Sequence, residues 1–165
     1  MTIKAFVFDA HETLYDVHSV SQLTEQEFPG QRDLITQVWR LTQLEYKWLC
    51  SQIQVYRSFW PISEESLIYT LKAIWLPTEK ATVDRILDKY LHLDTYPDCF
   101  SALDALKGLP LAILSNGNQE MLDKLVENTG LDTRLQSVIN IDKICNFKPH
   151  PKLSFKWKFK RNNRD

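Results

Sequence analysis

The sequence predicts an α/β fold in which a parallel sheet carries a long helical insertion. Three short apolar runs, at residues 3–8, 111–115 and 137–140, have the composition of strands. The first run is apolar on both alternating faces apart from Lys4, which is typical of a strand covered on both sides in a parallel sheet. Helical segments separate the last two runs, so the second half of the chain is predicted to be β-α-β.

The stretch between the first two strands is predicted to be mostly helical and to be the insertion. A long helix is predicted over residues 32–51, because apolar side chains recur there at three- and four-residue steps. These side chains mark one face of the helix: Leu34, Val38, Leu41, Leu44 and Trp48.

Two further helices are predicted within the insertion. Ser63 is predicted to be the N-cap of one of them, because two glutamates follow it in the first turn. Its apolar stripe continues through Leu67, Leu71 and Trp75. Thr78 is predicted to cap the next helix, and the inward-facing residues of that helix are Val83, Ile86, Leu87 and Tyr90.

Two glycines are predicted to end the helices on either side of the second strand. Gly108 follows a candidate helix at residues 98–107, and Gly130 follows another at residues 119–128. Glycine is favoured just past a helix end because it adopts left-handed backbone angles without strain.

Composition and charge restrict the classes of partner. The formal charge of −1 over 165 residues gives no long-range attraction to nucleic acid or to an anionic membrane. The three cysteines are odd in number and widely spaced, which favours a reduced, cytoplasmic compartment over a disulfide framework. No secretion signal or run of membrane-spanning length is present in the sequence, so no membrane partner is expected.

Polar side chains stand where two of the predicted strands end. Asp9 follows the first strand, while Ser115 and Asn116 lie at the end of the second. Ligands of open parallel sheets bind beyond the carboxyl ends of the strands, so these three side chains are candidates for one site. The alternative is that they only cap turns and helices.

Four segments together resemble the haloacid dehalogenase (HAD) superfamily, specifically the (S)-2-haloacid dehalogenases. They are "FDAHETLYDVHSV", "WRLTQLEYKWL", "LSNGNQEMLDKLVENTGL" and "FKPHP". The resemblance covers residues 3–151 and implies a Rossmann-like α/β core made of residues 1–16 and 93–151. Residues 17–92 would then form a helical cap.

The resemblance implies a nucleophilic mechanism without a metal or organic cofactor. Asp9 matches the nucleophile, which would attack C2 of an L-2-haloalkanoic acid, expel halide with inversion and leave an aspartyl ester. Thr13 matches the residue that orients it, and Lys148 matches the lysine that balances its charge.

The resemblance also implies a set of substrate contacts. Arg40 matches the cap arginine associated with the substrate carboxylate and the departing halide. Ser115 and Asn116 match groups that bind the carboxylate or receive the halide. Leu44 and Phe59 match positions that line the pocket. The expected partner is a small 2-haloacid, with a homodimer possible and nucleic acid not expected.

Two positions beside the nucleophile depart from the family pattern. The dehalogenases usually have Tyr-Gly where this chain has His11-Glu12. His11 is expected to line the substrate pocket in place of the tyrosine, with a proton relay as the alternative. Glu12 replaces a residue that is free to adopt positive φ, and it is expected to hinder anion binding unless it points outward.

A HAD-type phosphatase is the alternative enzyme class. Those phosphatases place a second aspartate two residues after the nucleophile to ligate magnesium, and this chain has His11 there. Without that second carboxylate the loop is a poorer site for a hard cation, so the dehalogenase is favoured.

The resemblance ends after the lysine motif, and residues 152–165 form a basic tail. Ser154 stands where the family has a tyrosine. The expectation is a truncated chain with an incomplete sheet, an exposed first strand and impaired turnover. The alternatives are a catalytically dead remnant or a binding module that uses the aromatic and basic tail.

Overall fold

The computed structural model describes residues 2–153 as a parallel sheet, a short two-stranded ribbon and surrounding helices. The elements in chain order are β1 Phe6–Phe8, β2 Tyr15–Asp16, α1 Ser21–Glu27, α2 Arg32–Gln52, α3 Phe59–Ala73, α4 Lys80–Tyr90, β3 Asp94–Thr95, α5 Cys99–Ala105, β4 Leu111–Ser115, α6 Gln119–Thr129 and β5 Ser137–Asn140. The predicted α/β class and its three parallel strands are therefore confirmed.

The parallel sheet has the order β1-β4-β5, with β4 in the middle. Phe8 pairs with Ile113, so the residues that follow β1 lie beside the end of β4. The prediction that β1 is covered on both faces is wrong within residues 2–153, because Val7 is 46% exposed and Ile3 is 61% exposed. The register brings the Asp9 and Ser115 ends of two strands to one edge.

The two-stranded ribbon joins the segments on either side of helices α1 to α4. Tyr15 of β2 pairs with Thr95 of β3 in antiparallel register, and Asp16 pairs with Asp94. The chain therefore leaves the sheet region and returns to it at the same place.

Helix α2 forms where it was predicted, but it buries a different face. Leu34, Leu41 and Trp48 of the predicted stripe are exposed. The buried residues of α2 are Ile35, Thr36, Trp39, Thr42 and Gln43. Part of this face is polar because α3 supplies hydrogen-bond partners: Trp39 Nε1 donates to the Ser63 carbonyl at 2.9 Å, and Gln43 Nε2 donates to Ser63 Oγ at 3.1 Å.

Helix α3 begins at Phe59, so the prediction that Ser63 caps it is wrong. Ser63 lies inside the helix, where its buried hydroxyl donates to the Phe59 carbonyl at 3.0 Å. Trp75 follows the end of α3, is 94% exposed and has a φ of 60°, so its predicted place in the stripe is also wrong.

Helices α4 and α6 follow the predicted patterns more closely. The four predicted inward-facing residues of α4 are all buried: Val83, Ile86, Leu87 and Tyr90. The helix starts at Lys80 rather than directly after Thr78. Gly130, with a φ of 70°, ends α6 in the left-handed conformation as predicted. Helix α5 is shorter at both ends than predicted.

No helix within residues 2–153 is long and apolar enough to cross a membrane. The predicted basic tail lies outside the described residues from Ser154 onward.

Candidate active site

Asp9 stands immediately after β1 with both carboxylate oxygens engaged. Oδ1 accepts a hydrogen bond from the Ala10 amide at 2.8 Å, and Oδ2 lies 2.7 Å from Lys148 Nζ. The Asp9 side chain is nevertheless 44% exposed. Each carboxylate oxygen has a second lone pair, so the group is oriented and still accessible.

Lys148 is held in place by Leu114 of β4 and by Asn116, which follows β4. Its Nζ also donates to the Leu114 carbonyl at 2.8 Å, and its backbone amide donates to Asn116 Oδ1 at 2.8 Å. These contacts fix the ammonium beside Asp9. Asn116 is thus brought to the predicted place, where its side-chain oxygen anchors the lysine loop.

Ser115, at the end of β4, and His11, two residues after Asp9, are both buried. Ser115 is 1% exposed, and its Oγ accepts a hydrogen bond from the Gly117 amide at 3.1 Å. His11 Nδ1 lies 3.5 Å from the same hydroxyl. The imidazole stacks on Tyr90 at 5.6 Å between ring centroids and lies 6.0 Å from the ring of Phe59. The predicted site residues His11, Phe59 and Ser115 are therefore neighbours.

Burial keeps His11 uncharged at neutral pH. Desolvation, followed by the positive charge of Arg40, lowers the pKa of His11 to about 4. Two buried polar atoms in this region have no hydrogen-bond partner within residues 2–153: His11 Nε2 and Asn118 Oδ1. Unpaired buried polar atoms are costly, so each is a position where a bound molecule would find a partner.

Glu12 forms an ion pair with Arg40 of α2. Arg40 Nε donates to Oε1 at 2.8 Å and Nη2 donates to Oε2 at 2.5 Å, which is the two-pronged geometry of a strong pair. The hydrogen bonds from Arg40 hold the pKa of Glu12 below its usual value. Glu12 adopts a φ of 60°, the left-handed region that the glycine of the family would occupy without strain. The carboxylate of Glu12 therefore occupies the Nε and Nη2 donors of Arg40, and the predicted hindrance of anion binding stays a prediction.

Lys47 is a second cation on the same face of α2 as Arg40, and the sequence interpretation did not single it out. It lies on α2, one turn after Leu44 and two turns after Arg40, and its side chain is half-buried. Burial lowers the pKa of Lys47, and the charges of Arg40, Asp9 and Lys148 also act on it. The seven-residue spacing from Arg40 was the available signal, since it places both cations on the same face of a helix.

The described part of the chain does not show the contacts predicted for Thr13 and Leu44. Thr13 is exposed, and within residues 2–153 the Asp9 carboxylate is bonded only by Ala10 and Lys148. Leu44 is half-buried on α2. The roles predicted for these two side chains stay predictions.

A cavity of about 760 Å³ is lined in part by Lys148. It is lined by the last turns of α2, including Trp48 and Ser51, and by Tyr56 and Phe147. Tyr56 donates a hydrogen bond to Asp142 Oδ1, which joins the segment after α2 to the segment after β5. Lys148 thus contacts the candidate nucleophile Asp9 and also lines a cavity large enough for a small organic acid.

Residues 3–156 match the family model described as haloacid dehalogenase-like hydrolase. The chain belongs to this family. The (S)-2-haloacid dehalogenase of Xanthobacter autotrophicus is 45% identical over 149 residues, which cover 90% of this chain and 59% of that protein. The (S)-2-haloacid dehalogenase H-109 of Pseudomonas putida is 42% identical over 149 residues, which cover 89% and 66%. The predicted family is confirmed.

Solved structures of family members share the fold described above. The L-2-haloacid dehalogenase from Xanthobacter autotrophicus superposes with a TM-score of 0.86 at 45% identity, over 91% of this chain and 61% of that one. A structure of that enzyme with chloropropionic acid covalently bound gives a TM-score of 0.86 at 44% identity, with the same coverage. The chain spans 59% and 66% of the lengths of the two curated relatives.

Proposed function

We propose that this chain carries the nucleophilic site for hydrolytic dehalogenation of short L-2-haloalkanoic acids, with Asp9 as the nucleophile. The observation that supports this proposal most directly is the exposed Asp9 carboxylate held 2.7 Å from Lys148 Nζ at the end of β1. The proposal also draws on the relatives, which are (S)-2-haloacid dehalogenases, and on the covalent chloropropionic acid in one of their structures.

The first step is displacement at carbon. A lone pair of an Asp9 oxygen forms a bond to C2 while the C2–halogen bond breaks, and the halide leaves with the bonding electrons. Attack from the face opposite the halogen inverts C2. The positive charge of Lys148 and the Ala10 amide orient the carboxylate for this attack.

The second step is hydrolysis of the Asp9 ester. Water adds to the ester carbonyl carbon, the bond from that carbon to the alkyl oxygen breaks, and a D-2-hydroxy acid and a proton are released. The Asp9 carboxylate is regenerated. Lys148 Nζ can donate to the carbonyl oxygen as negative charge develops on it, a role suited to a fixed ammonium.

The remaining predicted residues surround this centre in the proposal. Arg40, Ser115 and Asn116 are proposed to bind the substrate carboxylate or to receive the departing halide, and His11, Leu44 and Phe59 are proposed to shape the pocket. Thr13 is proposed to orient Asp9. Residues 17–92 are proposed to act as the cap over a core made of residues 1–16 and 93–151, because the ribbon of β2 and β3 closes the insertion at its base.

The phosphatase alternative is weaker at the loop after β1. The group two residues beyond Asp9 is the imidazole of His11, which is buried, uncharged, stacked on Tyr90 and tilted against Phe59. A hard cation such as magnesium prefers carboxylate oxygen. Turnover of p-nitrophenyl phosphate with magnesium, in a preparation that releases no halide from 2-chloropropionate, would favour the phosphatase instead.

Covalent labelling tests the proposal directly. The chain is incubated with L-2-bromopropionate, digested and examined by mass spectrometry. When the reaction is stopped with acid before the ester is hydrolysed, we expect the peptide containing Asp9 to carry one carboxyethyl group and bromide to appear in equal amount. Asp9→Asn should abolish labelling, and Lys148→Met should slow it by roughly a hundredfold, as for loss of one preorganised electrostatic group. Labelling at another residue, or none, would contradict the assignment of Asp9.

A further inference from the structure

We infer that Lys47 is the cation that receives the substrate carboxylate in this chain, in place of Arg40. The inference rests on the proposed function for the identity of the substrate. It is carried by the ion pairs of the described residues: Arg40 and Lys148 are each matched by a carboxylate within residues 2–153, whereas Lys47, on the same face of α2 as Arg40, is in none of these pairs.

Arg40 is occupied by a carboxylate of the chain itself. Its Nε and Nη2 donate to the two oxygens of Glu12, and its side chain is only 17% exposed. A second carboxylate arriving at this guanidinium would meet the negative charge of Glu12 at short range. Binding there requires the pair to break, which subtracts the energy of the pair from the affinity for substrate.

Lys148 is occupied by the nucleophile. Its Nζ lies 2.7 Å from Asp9 Oδ2 and donates to the Leu114 carbonyl at 2.8 Å. An ammonium has three donors, so two are used in contacts that position the lysine. Its charge is needed opposite Asp9, both before the attack and after it.

Lys47 lies on the face of α2 that also carries Arg40, seven residues earlier, and Ser51, four residues later. Arg40 pairs with Glu12 at one end of this face, and Ser51 lines a cavity together with Lys148 at the other. The charges acting on its ammonium include both members of each pair, Arg40 with Glu12 and Lys148 with Asp9. None of the ion pairs formed within residues 2–153 involves Lys47, although its side chain is half-buried. Because each pair is internally neutral, the uncompensated positive charge of the site belongs to Lys47.

The position of Lys47 suits the carboxylate of a small acid. It follows Leu44 by three residues and precedes Ser51, which lines the cavity beside Lys148, by four, so these side chains share one face of α2. A substrate whose C2 lies against Asp9 would direct its carboxylate toward this face. An ammonium binds a single carboxylate as a point charge and needs no fixed fork geometry.

Binding of propionate, which has the carboxylate and no leaving group, tests the inference without requiring turnover. We measure its dissociation constant by calorimetry for the full chain and its variants, with thermal unfolding by circular dichroism to verify folding. Lys47→Met should weaken binding about tenfold or more, as expected for loss of a charged partner. Lys47→Arg should retain most of the affinity. Lys72→Met, on the exposed face of α3, is the matched control and should leave the affinity unchanged.

Arg40 and Glu12 variants distinguish the two cations. Arg40→Met should weaken propionate binding less than Lys47→Met does, while Glu12→Gln should strengthen it and reduce the effect of Lys47→Met, because the freed guanidinium then takes part. Equal propionate affinity in the wild type and Lys47→Met, or no measurable binding by the wild type, would overturn the inference. Failure of Asp9 labelling by L-2-bromopropionate would instead reject the proposed function, and the propionate titration would still decide the role of Lys47.

Discussion

Replacing Glu12 by glycine and by glutamine separates two opposed contributions to the stability of the loop after β1. Glu12 has a φ of 60°, and a residue with a side chain is less stable in this region by about 1 kcal/mol. Its ion pair with Arg40 acts in the other direction. Because the Glu12 side chain is 44% exposed, solvent screening limits the stabilisation by the pair to about 0.5–1 kcal/mol.

The glycine variant should therefore lie closer in stability to the wild type than the glutamine variant does. Glu12→Gln keeps the unfavourable backbone angle and loses the charge, so its free energy of unfolding should fall by about 0.5–1 kcal/mol. Glu12→Gly loses the ion pair but relieves the strain, with part of that gain offset by the greater freedom of glycine in the unfolded chain. Its free energy of unfolding should stay within about 0.5 kcal/mol of the wild type.

Urea unfolding followed by circular dichroism measures both differences, and pH tests their origin. The folded-state pKa of Glu12 is lowered from 4.5, so the pair stabilises the protein fully above pH 4.5 and loses this effect as the pH falls through the lower folded value. The difference between the wild type and Glu12→Gln should thus be present at pH 7 and shrink below pH 4.5. A glycine variant less stable than the glutamine variant at pH 7 would refute the strain assignment.

Three further predictions concern packing and burial. Ile86→Ala should lower the free energy of unfolding by about 2–5 kcal/mol in urea titrations, because Ile86 is 0% exposed in α4. Leu41→Glu should change it by less than about 0.5 kcal/mol, whereas Ile35→Glu on the buried face of the same helix should prevent folding, as judged by circular dichroism. The pKa of His11 is lowered from 6.5 to about 4, so the wild type should lose up to roughly 3 kcal/mol relative to His11→Phe as the pH falls through this range.

The parts of the fold that the sequence predicted well depend on one-dimensional patterns. Continuous apolar runs identified the three strands. The glycine after α6 identified the end of that helix, because glycine adopts left-handed backbone angles without strain. The convergence of Asp9, Ser115 and Asn116 followed from the rule on strand ends, and the structure brings these residues to one edge of the sheet. Their chemical roles remain proposals.

The buried face of α2 could not be predicted from apolar spacing, because part of that face is polar. Trp39 and Gln43 are buried with hydrogen bonds to Ser63 of the neighbouring helix, and a single-sequence pattern does not reveal such partners. Leu41 and Trp48, which have the right chemistry for a core, are exposed instead. Lys47 was not predicted either, because the apolar pattern does not mark the face of α2 that carries Arg40 and Lys47.

His11 and Glu12, which depart from the family pattern, have different effects on the net charge of the site. His11 adds bulk but no charge, because burial keeps it neutral, and its buried Nε2 has no hydrogen-bond partner within residues 2–153. Glu12 adds a negative charge and directs it at Arg40. With glycine at position 12, this loop would provide no carboxylate partner for the Arg40 guanidinium. Arg40 could then bind the substrate carboxylate without help from Lys47. If Lys47 receives the substrate carboxylate, as we infer, then substitutions at positions 12 and 47 should affect anion binding non-additively.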